Sequence, residues 1–231
     1  MTLPSGCRRD ERNPVPASPT SVADLRSLLA ARFPEKIRRV AGVVATGVRP
    51  IDNALGGGLP AGRLTELVSA APGTGGQTVL AQLLRTTRAA RLRVALIDGA
   101  DGFVPAEVPA DTLKHLVWVR GRTAAEAFAA ADILVRDGNY AVVLLDLRGL
   151  AERILLKTPQ TTWHRLRHAT EGGSVAVLVQ STFPLVPVVP WRLVLNVPVG
   201  LALRRTGRTA LADDLTVEIA RSRTDVEEQS A

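Results

Sequence analysis

The residues with the most specific chemistry are residues 71–78, A-P-G-T-G-G-Q-T, which we call the glycine segment. An apolar run, residues 64–70, precedes it, and apolar residues at helical spacing follow. This order predicts a strand, a tight turn and a helix. It is the context of the phosphate-binding loop G-x-x-x-x-G-K-[ST], in which backbone N–H groups and a helix N-terminus hold phosphates. Gly76 occupies the second glycine place, and Thr78 the place of the magnesium ligand.

The lysine of this motif is missing, because Gln77 stands in its place; Ala71 replaces the first glycine. A glutamine amide gives neutral hydrogen bonds of roughly half the strength of those from an ammonium group. The lysines of the chain are Lys36, Lys114 and Lys157, so no neighbouring lysine can substitute, although an arginine from elsewhere could. We expect a site that retains its shape without a catalytic residue.

A second nucleotide motif is predicted at Asp146, which closes the apolar run 140–146. In nucleotide-binding proteins an aspartate at such a strand end orients magnesium, whereas elsewhere it is simply solvated. His164 and His168 lie one helical turn apart, but no third ligand follows, so we predict no metal centre. The predicted degenerate nucleotide site comprises Ala71, Pro72, Gly73, Thr74, Gly75, Gly76, Gln77, Thr78 and Asp146.

The hydrophobic pattern predicts an α/β fold with a mainly parallel central sheet flanked by helices. Predicted strands are residues 64–70, 92–98, 115–120, 140–146 and 174–181, and helices begin near residues 78, 123 and 161. After a proline-rich connector at 182–190, runs at 191–197, 200–205 and 215–221 predict an antiparallel edge. Turns are predicted there at Gly207/Arg208 and Asp213/Asp214.

The domain organisation is predicted as a disordered head (1–20), an N-terminal helix and linker (21–45), one core domain (46–223) and an acidic tail (224–231). The helix is amphipathic and either packs on its own core or docks on a partner. Its partner-binding candidates are Val22, Leu25, Leu28, Leu29 and Phe33. We expect a cytoplasmic protein, because no apolar run would span a bilayer and a single cysteine, Cys7, excludes an internal disulfide.

The charge of +7, with an isoelectric point near 10.8, comes almost wholly from arginine. Such a field favours polyanions, although genomic base composition also enriches arginine. The predicted DNA-binding candidates are Arg85, Arg88, Arg91 and Arg93 after the glycine segment, Arg165 and Arg167 on a later helix, and Arg204, Arg205 and Arg208 on the edge hairpin.

The run T-G-V-R-P-I-D-N-A-L-G-G-G-L-P-A-G-R-L-T-E-L, residues 46–67, resembles the entry to the ATPase core of the RecA recombinase family. That family places a water-activating glutamate after the strand at 92–98, where this chain has Ala100. Its DNA-binding loops are also longer than the connectors here. A RecA-like core without the lysine and the glutamate is similar to ImuA, the RecA-like subunit of the bacterial mutasome.

The resemblance implies a noncatalytic accessory protein in damage-induced translesion synthesis. Implied partners are an ImuB-like relative of Y-family polymerases, an error-prone replicative-type polymerase, DNA, and RecA or a second copy of the chain; no membrane partner is implied. No cofactor is expected, with ATP and magnesium as the alternative. Other hypotheses are a DNA-dependent ATPase or recombination mediator of the RecA/RadA kind, a SulA-like division inhibitor, and a cap on RecA filaments.

Overall fold

The computed structural model describes residues 42–199 and 208–221, which lie within one compact unit. Its centre is a seven-stranded sheet with the spatial order β5-β4-β6-β7-β3-β8-β9. All neighbouring strands are parallel except β8 and β9, which are antiparallel. These strands are β3 (Leu64–Ser69), β4 (Val94–Asp98), β5 (Leu116–Arg120), β6 (Val142–Asp146), β7 (Ala176–Ser181), β8 (Trp191–Leu195) and β9 (Glu218–Arg221).

Helices cover both faces of the sheet, which explains why β3, β4, β6 and β7 are buried along their whole length. One face packs α1 (Arg49–Ala54), α2 (Gly76–Ala89) and α6 (Arg208–Asp213). The other packs α3 (Ala124–Asp137), α4 (Glu152–Leu155) and α5 (Gln160–Thr170). Short 3-10 helices, Pro105–Glu107 and Ala110–His115, precede β5. The α/β class and mainly parallel sheet predicted from the sequence are confirmed.

The boundaries of α3 follow from its end residues. Thr123 Oγ1 accepts a hydrogen bond from Glu126 N at 3.2 Å, and the Glu126 carboxylate accepts one from Arg122 N at 2.9 Å. Gly138 ends the helix in the left-handed conformation at φ 69°. The predicted start near residue 123 is therefore confirmed.

The segment that leads into β3 is fixed by Asp52. Its carboxylate accepts hydrogen bonds from Thr46 N at 2.8 Å and Gly47 N at 3.0 Å, and from Thr46 Oγ1 at 2.7 Å. A small antiparallel pair, β1 (Val43–Val44) and β2 (Leu59–Pro60), closes the segment. The T-G-x-x-x-x-D spacing at residues 46–52 is thus a structural brace that places the first core strand.

One predicted edge feature is wrong. Arg208 was expected in a turn of the edge hairpin, but it begins the helix α6, which packs against α2; the chain does turn at Asp214 before β9. The predicted antiparallel edge is confirmed for β8 and β9, which pair directly. Several predictions lie outside the described residues: the disordered head, Cys7, the N-terminal helix with its five docking candidates, the strand at 200–205 with Arg204 and Arg205, and the acidic tail. Within the described residues, no helix combines the length and apolar character needed to cross a membrane.

Candidate functional site

Polar side chains collect at one edge of the sheet, where the parallel strands end. Asp98 of β4 lies opposite Asp146 of β6, and Asp146 lies opposite Gln180 of β7. Ser69 ends β3, and the glycine segment follows it directly. Strands β4, β5, β6 and β7 lie on one side of β3, and β8 and β9 lie on the other, so the strand order changes direction at β3. Ligands bind in parallel α/β sheets at the carboxyl edge near such a switch point.

The glycine segment forms the tight turn into α2 that the sequence predicts. Gly73 and Gly75 have φ values of 83° and 106°, and α2 begins at Gly76. Thr74 is buried, and its Oγ1 donates to Ala71 O at 2.8 Å, which braces the turn internally. Residues 71–73 and Gln77 are exposed, whereas Thr78 is partly buried. The turn therefore presents its backbone to solvent.

A later part of the chain supports the turn from behind. Val199 N donates a hydrogen bond to Gly73 O at 2.9 Å. The buried side chain of Leu215 packs so closely on Gly75 that a Cβ there would collide with it. The shape of the glycine segment thus depends on residues more than 120 positions later.

Three side-chain atoms converge on Gly76, the first residue of α2. A Cβ added there would lie 2.5 Å from Ser69 Oγ and 2.6 Å from Arg148 Nη1. It would also lie 2.7 Å from Gln180 Nε2, which donates to Gly76 O at 2.9 Å. A side chain at this position would therefore displace these three groups. Two buried oxygens nearby, Ser69 Oγ and Gln180 Oε1, have no hydrogen-bond partner among the described residues.

Asp146 is already neutralised by a guanidinium. Arg148 Nε donates to Asp146 Oδ1 at 2.9 Å, and Arg148 Nη2 donates to Oδ2 at 2.5 Å. The Arg148 backbone N–H adds a bond to Oδ1 at 3.2 Å. The two side chains are only 16% and 11% exposed, so this bidentate pair is weakly screened by solvent.

A magnesium ion does not fit this donor set. Both oxygens of Asp146 are engaged by Arg148, and a cation would have to displace the guanidinium before it could coordinate. The Thr78 hydroxyl is the remaining metal-ligand position of the motif, and one neutral oxygen holds magnesium poorly. Phosphate fits better, because the glycine turn, the start of α2 and Arg148 are all positive or hydrogen-bond donating.

The described residues at and after the end of β4 do not supply the water-activating glutamate of the motif. Ala100 is exposed and has no proton acceptor. The buried Asp98 accepts hydrogen bonds from the N–H groups of Ala100, Gly102 and Phe103, at 3.3, 2.9 and 2.8 Å, so it holds the following turn. Asp101 is exposed and lies 3.8 Å from Arg120.

The predicted DNA-binding arginines that lie in the described part of the chain do not form one surface. Arg85 and Arg88 lie on α2 and Arg165 and Arg167 on α5, which cover opposite faces of the sheet. Arg91 and Arg93 lie in the turn and strand start that follow α2, at the sheet edge opposite the glycine segment.

Several of these arginines bind carboxylates. Arg88 forms two 3.1 Å bonds to Asp111, and together with Lys114 it lowers the pKa of that carboxyl to about 2. Arg167 lies 3.3 Å from Glu171, and Arg165 lies 3.6 Å from Asp132. Arg91 is exposed, with φ at 58°, and no carboxylate pairs with it in the part of the chain that the structure describes.

Sequence reasoning missed Arg148 as a member of the site. The only signal was its position two residues after Asp146, which lets a long side chain fold back along the sheet edge. It also missed the buried Glu66 in β3, whose charge gave no sign of burial.

Comparison with protein-family models gave no match, and comparison with curated proteins gave none either.

In residues 42–199 and 208–221, no group of three histidine, cysteine or acidic side chains could hold a metal ion. His168 Nδ1 lies 3.3 Å from Glu171, so this member of the histidine pair has a carboxylate neighbour.

Proposed function

We propose that this chain is a noncatalytic, RecA-like accessory protein of the bacterial translesion-synthesis mutasome, similar to ImuA. In this proposal it links an ImuB-like polymerase relative and an error-prone replicative-type polymerase to damaged DNA in the cytoplasm. One observation carries the noncatalytic part: Gln77 is at the lysine place, and the Asp146 carboxylate is bound by Arg148. The fold and the position of the glycine segment are compatible with a RecA-like core.

The absence of hydrolysis is further supported by the acidic groups around the glycine segment. Asp98 is committed to three backbone N–H groups, and the position of the family's glutamate holds Ala100. A general base must reach the proton it removes, and neither residue offers a free carboxylate for a water at the glycine segment. A surface that remains without hydrolysis is suited to binding other macromolecules.

Copurification tests the accessory role. The chain is coexpressed with a tagged ImuB-like polymerase relative and, separately, with tagged RecA and the tubulin-like division protein. We expect stable recovery with the polymerase relative. Recovery with the division protein alone would favour the SulA-like hypothesis, and no recovery with the polymerase relative would contradict the proposal.

A DNA-dependent ATPase of the RecA/RadA kind is the second candidate. One observation favours it: the Arg148 guanidinium lies beside the first turn of α2, near the place of the missing lysine. Turnover of ATP is measured with magnesium, with and without single-stranded DNA. We expect no DNA-stimulated turnover; hydrolysis that Gln77→Ala abolishes would establish the ATPase instead.

A further inference from the structure

We propose that Arg148 replaces the divalent cation at the glycine segment, so that this chain binds a polyphosphate group without magnesium. The inference rests on the proposed function only in regarding the glycine segment as a degenerate phosphate loop. Arg148 uses Nε and Nη2 for Asp146, while Nη1 lies on the side of Gly76. A cation is therefore held at the start of α2 by the protein itself.

The start of α2 lacks a neutralising group of its own. Gly75 is the N-cap and supplies no side-chain hydrogen bond, and the first turn contains no acidic residue. In a helix of 14 residues the first N–H groups therefore have no intrahelical or capping acceptor. Asp146 balances the charge of Arg148, so the open N–H groups of this positive helix end still favour an anion.

One buried hydroxyl points independently to an occupant. Ser69 is 5% exposed, and its Oγ lies 2.5 Å from the point where a Cβ of Gly76 would stand. This Oγ has no hydrogen-bond partner among the described residues. A buried hydroxyl without a partner is unfavourable, so Ser69 favours a bound acceptor at the start of α2. A hydroxyl donor, a guanidinium and open N–H groups together match phosphate oxygens.

The charge balance explains why the ligand needs no magnesium. Magnesium normally links an acidic side chain to the phosphates, because the two anions would otherwise repel. Here Arg148 is already bound to both oxygens of Asp146 and faces Gly76 with its third nitrogen. The guanidinium therefore performs the bridging of anions that a metal performs in an active phosphate loop.

Binding is measured by calorimetry with ATP and with inorganic tripolyphosphate, each in EDTA and in magnesium. We expect binding in EDTA that magnesium improves by less than about twofold. Arg148→Ala should weaken it by roughly tenfold or more, since a charge-assisted hydrogen bond is lost. Arg63→Ala is the matched control, because Arg63 is exposed at the opposite end of β3 and should leave affinity unchanged. Binding of ATP but not of tripolyphosphate would assign the contact to the nucleoside and overturn the proposal.

The variant Asp146→Asn tests whether Arg148 or magnesium supplies the positive charge at the glycine segment. If Arg148 is the cation, freeing it from Asp146 should keep or tighten the binding of ATP and tripolyphosphate in EDTA. Loss of this binding in Asp146→Asn would overturn the proposal. A strict need for magnesium would overturn it as well. Arg148→Ala leaves a buried carboxylate, so the double variant Arg148→Ala/Asp146→Asn, checked by thermal melting, supplies a folded reference without the cation. Hydrolysis and copurification are not used here, so this inference can fail while the accessory role stands.

Discussion

At the scale of single residues, Glu66 is the most unusual side chain of the core. It is fully buried in β3, an interior strand of the sheet. Its Oε1 accepts hydrogen bonds from Leu185 N and Val186 N at 2.6 and 3.0 Å, and its Oε2 accepts one from Arg192 Nε at 2.5 Å. Arg192 Nη2 donates in turn to Val186 O at 2.6 Å. One carboxylate thus ties the proline-rich connector to the sheet.

Glu66→Gln should lower the free energy of unfolding by about 3 kcal/mol, because it leaves the Arg192 guanidinium without a counter-charge in a largely buried place. Urea denaturation measures this change. Glu152→Gln, at an exposed position of α4, is the control and should shift stability by less than about 0.5 kcal/mol. The double variant Glu66→Gln/Arg192→Gln should recover part of the loss; equal losses in Glu66→Gln and the control would contradict the role of the pair.

At the scale of elements, α2 is joined to the 3-10 helix Ala110–His115 by a histidine. His115 Nε2 lies 2.9 Å from Thr87 Oγ1. The Thr87 hydroxyl also donates to Leu83 O at 2.6 Å, so His115 is the donor in the contact between them. Burial lowers the pKa of His115, and the positive charge of the nearby Arg88 lowers it further. A backbone hydrogen bond with Thr112 and the charge of Asp111 raise the pKa, but by less. Burial, rather than the contact with Thr87, therefore favours the neutral imidazole.

This pKa makes stability depend on pH. The unfolded chain binds a proton at His115 near its ordinary pKa of 6.5, whereas the folded chain binds it only at lower pH. Because the unfolded state then holds more protons, the free energy of unfolding should fall as pH decreases through about 6.5. Urea titrations between pH 7.5 and 5 measure the decrease, which should be smaller in His115→Gln.

His168→Gln is the control for this pH dependence, because His168 is exposed on α5. It should keep the decrease of the parent protein. Asp111, with its pKa of about 2, remains ionised throughout this range and does not contribute. Parallel curves for His115→Gln and the parent protein would contradict the assignment.

At the scale of the whole molecule, the described arginines that were predicted to bind DNA lie at three places: the two faces of the sheet and the edge opposite the glycine segment. We expect DNA on the side of α2 and the following turn, because Arg91 is exposed without a carboxylate partner in the described parts of the chain, whereas Arg165 neighbours Asp132. Arg91→Glu should reduce the slope of log affinity against log salt by about one unit, and Arg165→Glu should leave it unchanged. Fluorescence anisotropy over a salt series measures both; the reverse result would place DNA at α5.

The fold was largely predictable because its signals are local. The buried strands are short apolar runs, and Thr123 and Gly138 mark the ends of α3 within the sequence itself. The helix Arg208–Asp213 was missed because six residues after a glycine carry too little periodicity to outweigh the turn signal. The helix α1 was missed because its six residues, with a proline in the first turn, also carry too little helical periodicity.

The candidate site was only half predictable. The glycine segment and Asp146 follow from spacing along the chain, but the pair of Asp146 with Arg148 depends on how a side chain folds back over the strand end. Glu66 was missed for a related reason: its partners Leu185, Val186 and Arg192 lie 119 to 126 residues away, and no local pattern reports such contacts.

The position of β3 in the sheet has a consequence for biosynthesis. This strand leaves the ribosome before β4, β5 and β6, yet its two neighbours are β7 and β8, which are translated more than 100 residues later. Until they emerge, a nascent chain exposes an apolar strand with unpaired edges and an unmatched glutamate, the kind of surface that chaperones bind. The part of the candidate site that is synthesised first is thus completed only after β7 and β8 have been translated.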